Sequence, residues 1–139
     1  MSRVVVADLQ EPELRQFLFD TVEGVEDLQV LVWFHEQPLG CEASPTRIAE
    51  QTGMLSSAAL EALTRLVEKG LVSSADPQGM AFRYDPKDPS AHTLLAAVLE
   101  QYRTSAVQIL KILTANAIER VRTAALRTFA ESFRIRGGR

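Results

Sequence analysis

The segment from Ser44 to Tyr84 constrains the fold of this chain more than any other part of it. It reads SPTRIAEQTGMLSSAALEALTRLVEKGLVSSADPQGMAFRY. Ser44 followed by Pro45 is typical of a helix start, because serine caps the first turn and proline fits its first position. Gly53 is typical of a helix end, where a left-handed residue is often required. The segment therefore predicts a short helix, a turn, a longer helix and two short strands.

The longer helix is expected to begin after a cap at Ser56 or Ser57 and to end at Gly70. Its apolar residues recur three and four positions apart, which predicts one buried face formed by Leu60, Leu63, Leu66 and Val67. The residues of 76–79, Asp-Pro-Gln-Gly, predict the turn between the two strands.

Helices are also predicted on both sides of this segment. Apolar spacing indicates one helix over 11–19 and another over 25–36. Asp88 and Pro89 are suited to open a third helix. From there to Phe133 the chain contains no glycine or proline, but the apolar pattern changes phase, which predicts a turn near 114–116.

Three short motifs carry a resemblance to a known family: Arg-Ile-Ala-Glu at 47–50, Gly-Met-Leu-Ser at 53–56, and Leu-Val-Glu-Lys-Gly-Leu-Val at 66–72. Over residues 25–84 the chain resembles the MarR-like winged helix-turn-helix domains of bacterial transcription regulators. The resemblance implies a mostly α fold with a small β-wing, in which a winged helix-turn-helix domain (1–87) precedes a C-terminal helical extension (88–139). The sequence FAESFRIR at 129–136 is similar to the C-terminus of small proteobacterial winged-helix proteins with no assigned role.

The resemblance implies a DNA-binding transcription regulator whose second helix enters the major groove. Arg65 would be the main base or phosphate reader, and the other DNA-binding residues would be Arg47, Ser56, Ser57, Lys69 and Arg83. The charge of the segment is a poor match for DNA, because residues 42–87 hold five basic and six acidic residues. An alternative is therefore a winged-helix adaptor that binds another protein without specific DNA binding.

The charge is distributed unevenly along the chain. Residues 1–100 hold seven basic and sixteen acidic residues, whereas residues 101–139 hold eight basic and two acidic ones. The basic tail consists of Arg120, Arg122, Arg127, Arg134 and Arg136. A row of arginines on a helix can bind nucleic acid, an acidic protein or anionic lipid, or it can pair with the acidic N-terminal segment of the same chain.

Apolar residues spaced alternately by four and three predict a helical seam after residue 88. The seam consists of Leu95, Leu99, Tyr102, Ala106, Ile109 and Leu113. Such a pattern is typical of helices that pair side by side, so we expect a homodimer through these residues. The alternative is that the seam folds back on residues 25–33 of the same chain.

No catalytic, metal-binding or cofactor-binding pattern is recognisable. His35, His92 and Cys41 do not have the spacing of metal ligands, and no phosphate-binding glycine loop or nucleophile motif occurs. We therefore expect a protein that is not an enzyme and has no cofactor. The first residues lack the apolar core of a secretory signal, no stretch is long enough to span a bilayer, and the single cysteine cannot form an internal disulfide. These features predict a cytoplasmic protein.

Overall fold

The computed structural model describes residues 11–137, with side chains from 12 to 132. This part of the chain is mostly helical, at 70%, with one small three-stranded antiparallel sheet. In chain order the elements are α1 (Glu11–Thr21), α2 (Val25–His35), β1 (Glu42–Ala43), α3 (Pro45–Thr52), α4 (Ser56–Glu68), β2 (Val72–Ser74), β3 (Phe82–Tyr84), α5 (Pro89–Thr104) and α6 (Ala106–Gly137).

The ends of α3 are set by the two residues that the sequence singled out. The Ser44 hydroxyl accepts a hydrogen bond from the backbone N–H of Arg47 at 3.1 Å, and Pro45 occupies the first turn. Gly53 ends the helix with φ +83°, a left-handed conformation that a side chain would strain. The predicted start and end of this helix are confirmed.

The helix α4 differs in two details from its prediction. Its N-cap is Leu55, with no side-chain hydrogen bond, so the prediction of a serine cap is wrong. Its buried face contains Ala59 and Ala62 beside Leu63 and Leu66, whereas Leu60 and Val67 are exposed. The buried face is rotated because the small alanines lie where α4 packs closely against neighbouring helices.

The two predicted strands form a hairpin, and β1 extends it to a sheet with the order β1-β3-β2. Ser73 lies opposite Arg83 between β2 and β3, and Glu42 lies opposite Arg83 between β1 and β3. Gly79, with φ +71°, supplies the left-handed residue of the hairpin turn.

The C-terminal helices break at a different place from the predicted one. Asp88 caps α5 by accepting from the N–H of Ser90, as expected. The helix ends at Thr104, and Ser105 (φ −144°, ψ 60°) separates it from α6. The predicted turn near 114–116 is wrong, because α6 continues through it as one helix of 32 residues.

One hydrophobic core includes residues from α1 to the first half of α6. Four residues of the predicted dimerisation seam are buried in it, namely Leu95, Leu99, Ile109 and Leu113, while Tyr102 packs against it partly buried. They are buried inside their own chain, where α6 packs mainly on α1 and α5, which corrects the expectation that they are free to form a seam between two chains. A dimer built on these side chains would require this core to open.

Candidate macromolecular interface

The helix α4 presents few groups that could read DNA. Ser56 and Ser57 are exposed at its start, and Glu61 and Leu60 are exposed one turn later. Serine hydroxyls can contact phosphate, but base readout in the major groove usually depends on arginine, lysine, asparagine or glutamine. The first two turns of α4 therefore offer polar contacts and one carboxylate but no positive charge.

Arg65, the predicted main DNA reader, is bound to a buried carboxylate. Its Nε–H donates to Asp27 Oδ1 at 3.0 Å, and its Nη2–H donates to the same oxygen at 2.6 Å. Asp27 is fully buried in α2 and also accepts from the backbone N–H of Glu23 at 3.1 Å. The hydrogen bond to Asp27 raises the pKa of Arg65. The guanidinium thus joins α4 to α2, which corrects the expectation of a DNA-facing side chain.

Asp27 was missed by the sequence analysis, although a signal was present. It lies three, four and seven residues before Val30, Leu31 and Phe34, which are all buried on the same face of α2. A carboxylate on an otherwise apolar helix face predicts a buried partner, because an unpaired charge there is very costly. Arg65 is that partner.

The other cations around this segment also have acidic neighbours. Lys69 Nζ lies 3.6 Å from a carboxylate oxygen of Glu23, and Arg83 Nη1 lies 3.1 Å from one of Glu42. Lys87 Nζ lies 3.4 Å from Asp85. Exposed pairs of this kind add little stability, but each one reduces the local positive potential that would attract phosphate.

Arg47 is the exposed cation of α3, and it lies over the ring of Trp33 with 5.4 Å between guanidinium carbon and ring centroid. The indole N–H of Trp33 donates to Gln51 Oε1 at 2.6 Å. Of the predicted DNA-binding residues, Arg47, Ser56 and Ser57 are exposed at the surface. Arg65, in contrast, is held between α4 and α2 by Asp27.

The hairpin tip is stabilised by its own acid. Asp76 Oδ1 accepts from the backbone N–H groups of Met80, at 2.8 Å, and Ala81, at 3.3 Å. The residue that makes this tip acidic is thus needed to hold the turn.

Two polar residues attach α6 to α1. Asn116 is buried, and its side-chain N–H donates to the carbonyl of Arg15 at 3.2 Å. Arg120 Nη2 donates to the carbonyls of Phe19, at 2.6 Å, and Val22, at 3.1 Å, and its guanidinium lies over the Phe19 ring. These carbonyls lie at the C-terminal end of α1, where a cation is favourable. Arg120 is thus a structural residue, and the interruption of the apolar pattern at Asn116 marks this contact.

Beyond this attachment, the distal half of α6 (residues 117–137) exposes an apolar face. Every side chain described from 117 to 132 is exposed except that of Arg120. Ile118, Val121, Ala125 and Phe129, the outer stripe, lie within about 80° of one another around the helix axis. Val121 is 70% exposed, and Leu126, beside the stripe, is 62% exposed. Arg127 is also exposed on this half, whereas the side chains of Arg134 and Arg136 lie outside the described residues.

A shallow cleft of about 90 Å³ is lined by His35, Cys41, Tyr84 and His92 among others. Within residues 11–137, no group of three or more histidine, cysteine, aspartate or glutamate side chains is placed to hold a metal ion. None of the described helices is both long and apolar enough to cross a bilayer.

Comparisons with protein-family models, with curated proteins and with solved structures found no match to this chain. The resemblance to MarR-like regulators therefore stays a prediction that depends on the motifs within residues 25–84.

Proposed function

We propose that this protein is a non-catalytic winged-helix adaptor that binds another protein through the distal half of α6. The order of elements from α2 to β3, with a helix pair followed by a hairpin in a three-stranded sheet, supports a winged helix-turn-helix body. The observation that carries the proposal is the outer stripe. Large exposed apolar side chains in a row are typical of a surface that contacts a protein.

The chemistry of the partner follows from the charge around the stripe. Residues 117–137 contain five arginines, of which Arg120 is bound to α1 and Arg122 lies beside Glu119, and two glutamates. Pairing this segment with a copy of itself would bring like charges together, whereas a groove with an acidic rim and an apolar floor would complement it. The expected partner is therefore an acidic protein that accepts an amphipathic helix.

The exposure of the segment also supports a partner. A solvent-exposed helical segment gains stability when its apolar face is covered. Arg120 and Asn116 fix the root of the segment on α1. The helix is thus held at a defined angle, which reduces the entropy lost on binding.

The adaptor is tested by photocrosslinking followed by affinity measurement. A photoreactive phenylalanine analogue replaces Val121 or, in α4, Ser57, and each variant is expressed in the native host. We expect a defined protein adduct from position 121 and none from position 57. Val121→Asp should then weaken binding to the purified partner at least tenfold, because it places a charge in the apolar contact.

Ala130→Asp is the matched control, because it adds the same charge on the same exposed helix, about 180° around the axis from Val121. Equal affinity of the two variants for the partner would refute the stripe as the contact. If the adduct at 121 is a second copy of this chain, the acidic partner is refuted and a homodimer takes its place.

A DNA-binding regulator acting as a dimer is the second candidate. It is favoured by Arg47 on the exposed face of α3 and by Ser56 and Ser57, which lie exposed at the start of α4 and could contact phosphate. A mixed-sequence duplex should then bind at about 50 mM salt, with an affinity that falls steeply as salt rises. Arg47→Ala should weaken this binding, whereas Arg65→Lys should not, since Arg65 is turned toward Asp27. Absence of binding at low salt would exclude this candidate.

A further inference from the structure

Three rings from three elements meet where α5 joins the rest of the chain. They belong to His35 at the end of α2, Tyr84 at the end of β3 and His92 in the first turn of α5. The centroid of the His35 ring lies 4.9 Å from that of Tyr84 and 5.8 Å from that of His92. The two imidazoles are stacked, with an angle of 19° between their planes.

The hydrogen bonds of this cluster suit uncharged imidazoles. The Tyr84 hydroxyl and His92 Nδ1 are 2.8 Å apart. Burial raises the pKa of Tyr84 to about 12, so the phenol keeps its proton at neutral pH and can donate it to a neutral ring. His35 Nε2 is buried and has no hydrogen-bond partner among the described residues. Protonation of His35 would therefore place a charged N–H where no acceptor receives it.

The charged groups that face His35 from the neighbouring elements are basic. Burial is the largest cause that lowers the pKa of His35, and His92 and Arg103, both on α5, lower it further. From β3 the ring faces the phenol of Tyr84, and the thiol of Cys41 lines the same cleft. The described groups that act on His35 thus include no carboxylate that would stabilise its imidazolium.

We propose that the stacked His35 and His92 form an acid-sensitive latch, which holds the start of α5 against α2 and β3 at neutral pH and releases it when both rings are protonated. The latch is independent of the proposed adaptor function, because it lies on α2, β3 and the start of α5, whereas the outer stripe lies on α6.

The direction of the effect follows from proton binding. Because the pKa of His35 is lower in the folded chain than its ordinary value of 6.5, the unfolded chain binds more protons between these two values. Stability therefore rises with pH across this window and is lost as the pH falls below about 6.5.

The experiment uses the fact that the chain contains two histidines. In a variant with both histidines changed to glutamine, the change in thermal stability between about pH 7.5 and 5.5 comes from carboxylates and other groups alone. Relative to this variant, the wild-type midpoint of thermal unfolding should fall by about 3 °C more over the same range. Amide exchange, corrected for its intrinsic pH dependence, should accelerate about threefold or more over residues 89–100 and remain unchanged over α3.

Single variants then test the pair. His92→Gln should remove part of the extra pH dependence, because it removes the ring stacked on His35, whereas burial of His35 remains. His92→Arg places a fixed positive charge at this position and should give fast exchange over 89–100 already at neutral pH, whereas Thr93→Arg, with the same charge on the next residue, should not. Tyr84→Phe keeps the ring and should retain the pH dependence.

Three results would overturn the latch: equal pH dependence in the wild type and the histidine-free variant, full wild-type dependence in His92→Gln, or equal exchange in His92→Arg and Thr93→Arg. His92 is exposed, so its variants are expected to fold and to decide the question even where a change at His35 does not.

Discussion

Replacing Arg65 tests whether this residue is structural or faces DNA. Arg65→Ala leaves the fully buried Asp27 carboxylate with the N–H of Glu23 as its remaining hydrogen-bond donor among those described. Breaking a buried ion pair from one side costs about 3–5 kcal/mol. The Arg65 side chain is 30% exposed, so water can enter the vacated volume and solvate part of the charge. We therefore expect a loss of about 2–3 kcal/mol in the free energy of unfolding.

The assay is urea unfolding followed by circular dichroism. For a chain of this size a loss of about 2 kcal/mol lowers the midpoint by about 1 M. Arg65→Lys keeps the charge without the forked geometry and should lose less than Arg65→Ala.

Arg127→Ala is the control, because Arg127 is exposed on the distal half of α6 and its loss should change stability by less than about 0.5 kcal/mol. The double variant Asp27→Ala/Arg65→Ala should be more stable than the sum of the two single losses predicts. A loss below about 0.5 kcal/mol in Arg65→Ala, or strict additivity in the double variant, would refute the structural role of Arg65.

Further predictions concern the root of α6, the end of α3 and the buried phenol. Arg120→Ala should lower the free energy of unfolding by about 1.5–3 kcal/mol, because it removes charged hydrogen bonds to the carbonyls of Phe19 and Val22; a loss equal to that of Arg127→Ala would contradict this. Gly53→Ala should cost about 1–2 kcal/mol in the same urea assay because φ is +83° there, and a neutral change would mean that the helix end relaxes. Spectrophotometric titration should show one tyrosine, absent in Tyr84→Phe, ionising near pH 12, and a midpoint near the ordinary value of 10 would show that Tyr84 is not buried.

The local elements were predictable because their signals are local. Ser44, Gly53 and Asp88 set helix ends through contacts within a few residues, and the structure has all three in these roles. The cap of α4 was not predictable in the same way. Packing of Ala59 and Ala62 sets the rotation of the helix about its axis, and its N-cap is Leu55. Short-range propensity gave way there to tertiary contacts.

The candidate site was predicted less well than the fold, because its residues act over long sequence separations. Arg65 was assigned to DNA from its position on α4, but its partner Asp27 is 38 residues away. Likewise, Asn116 and Arg120 interrupt the apolar pattern and suggested a turn, whereas they contact α1 about 100 residues earlier. A heptad seam also has the same spacing whether its partner is a second chain or the same chain, so spacing could not distinguish a dimer from a fold-back.

The most direct test of the central claim compares photocrosslinking at position 121 on α6 with that at position 57 on α4, in the native host. The adaptor proposal predicts a single defined protein adduct at position 121 and no adduct at position 57. The adduct at 121 should be lost when aspartate replaces a neighbouring residue of the outer stripe, and it should be kept in Ala130→Asp. A DNA or protein adduct at position 57 together with none at position 121 would contradict the proposal, and would show that α4 is the contact surface.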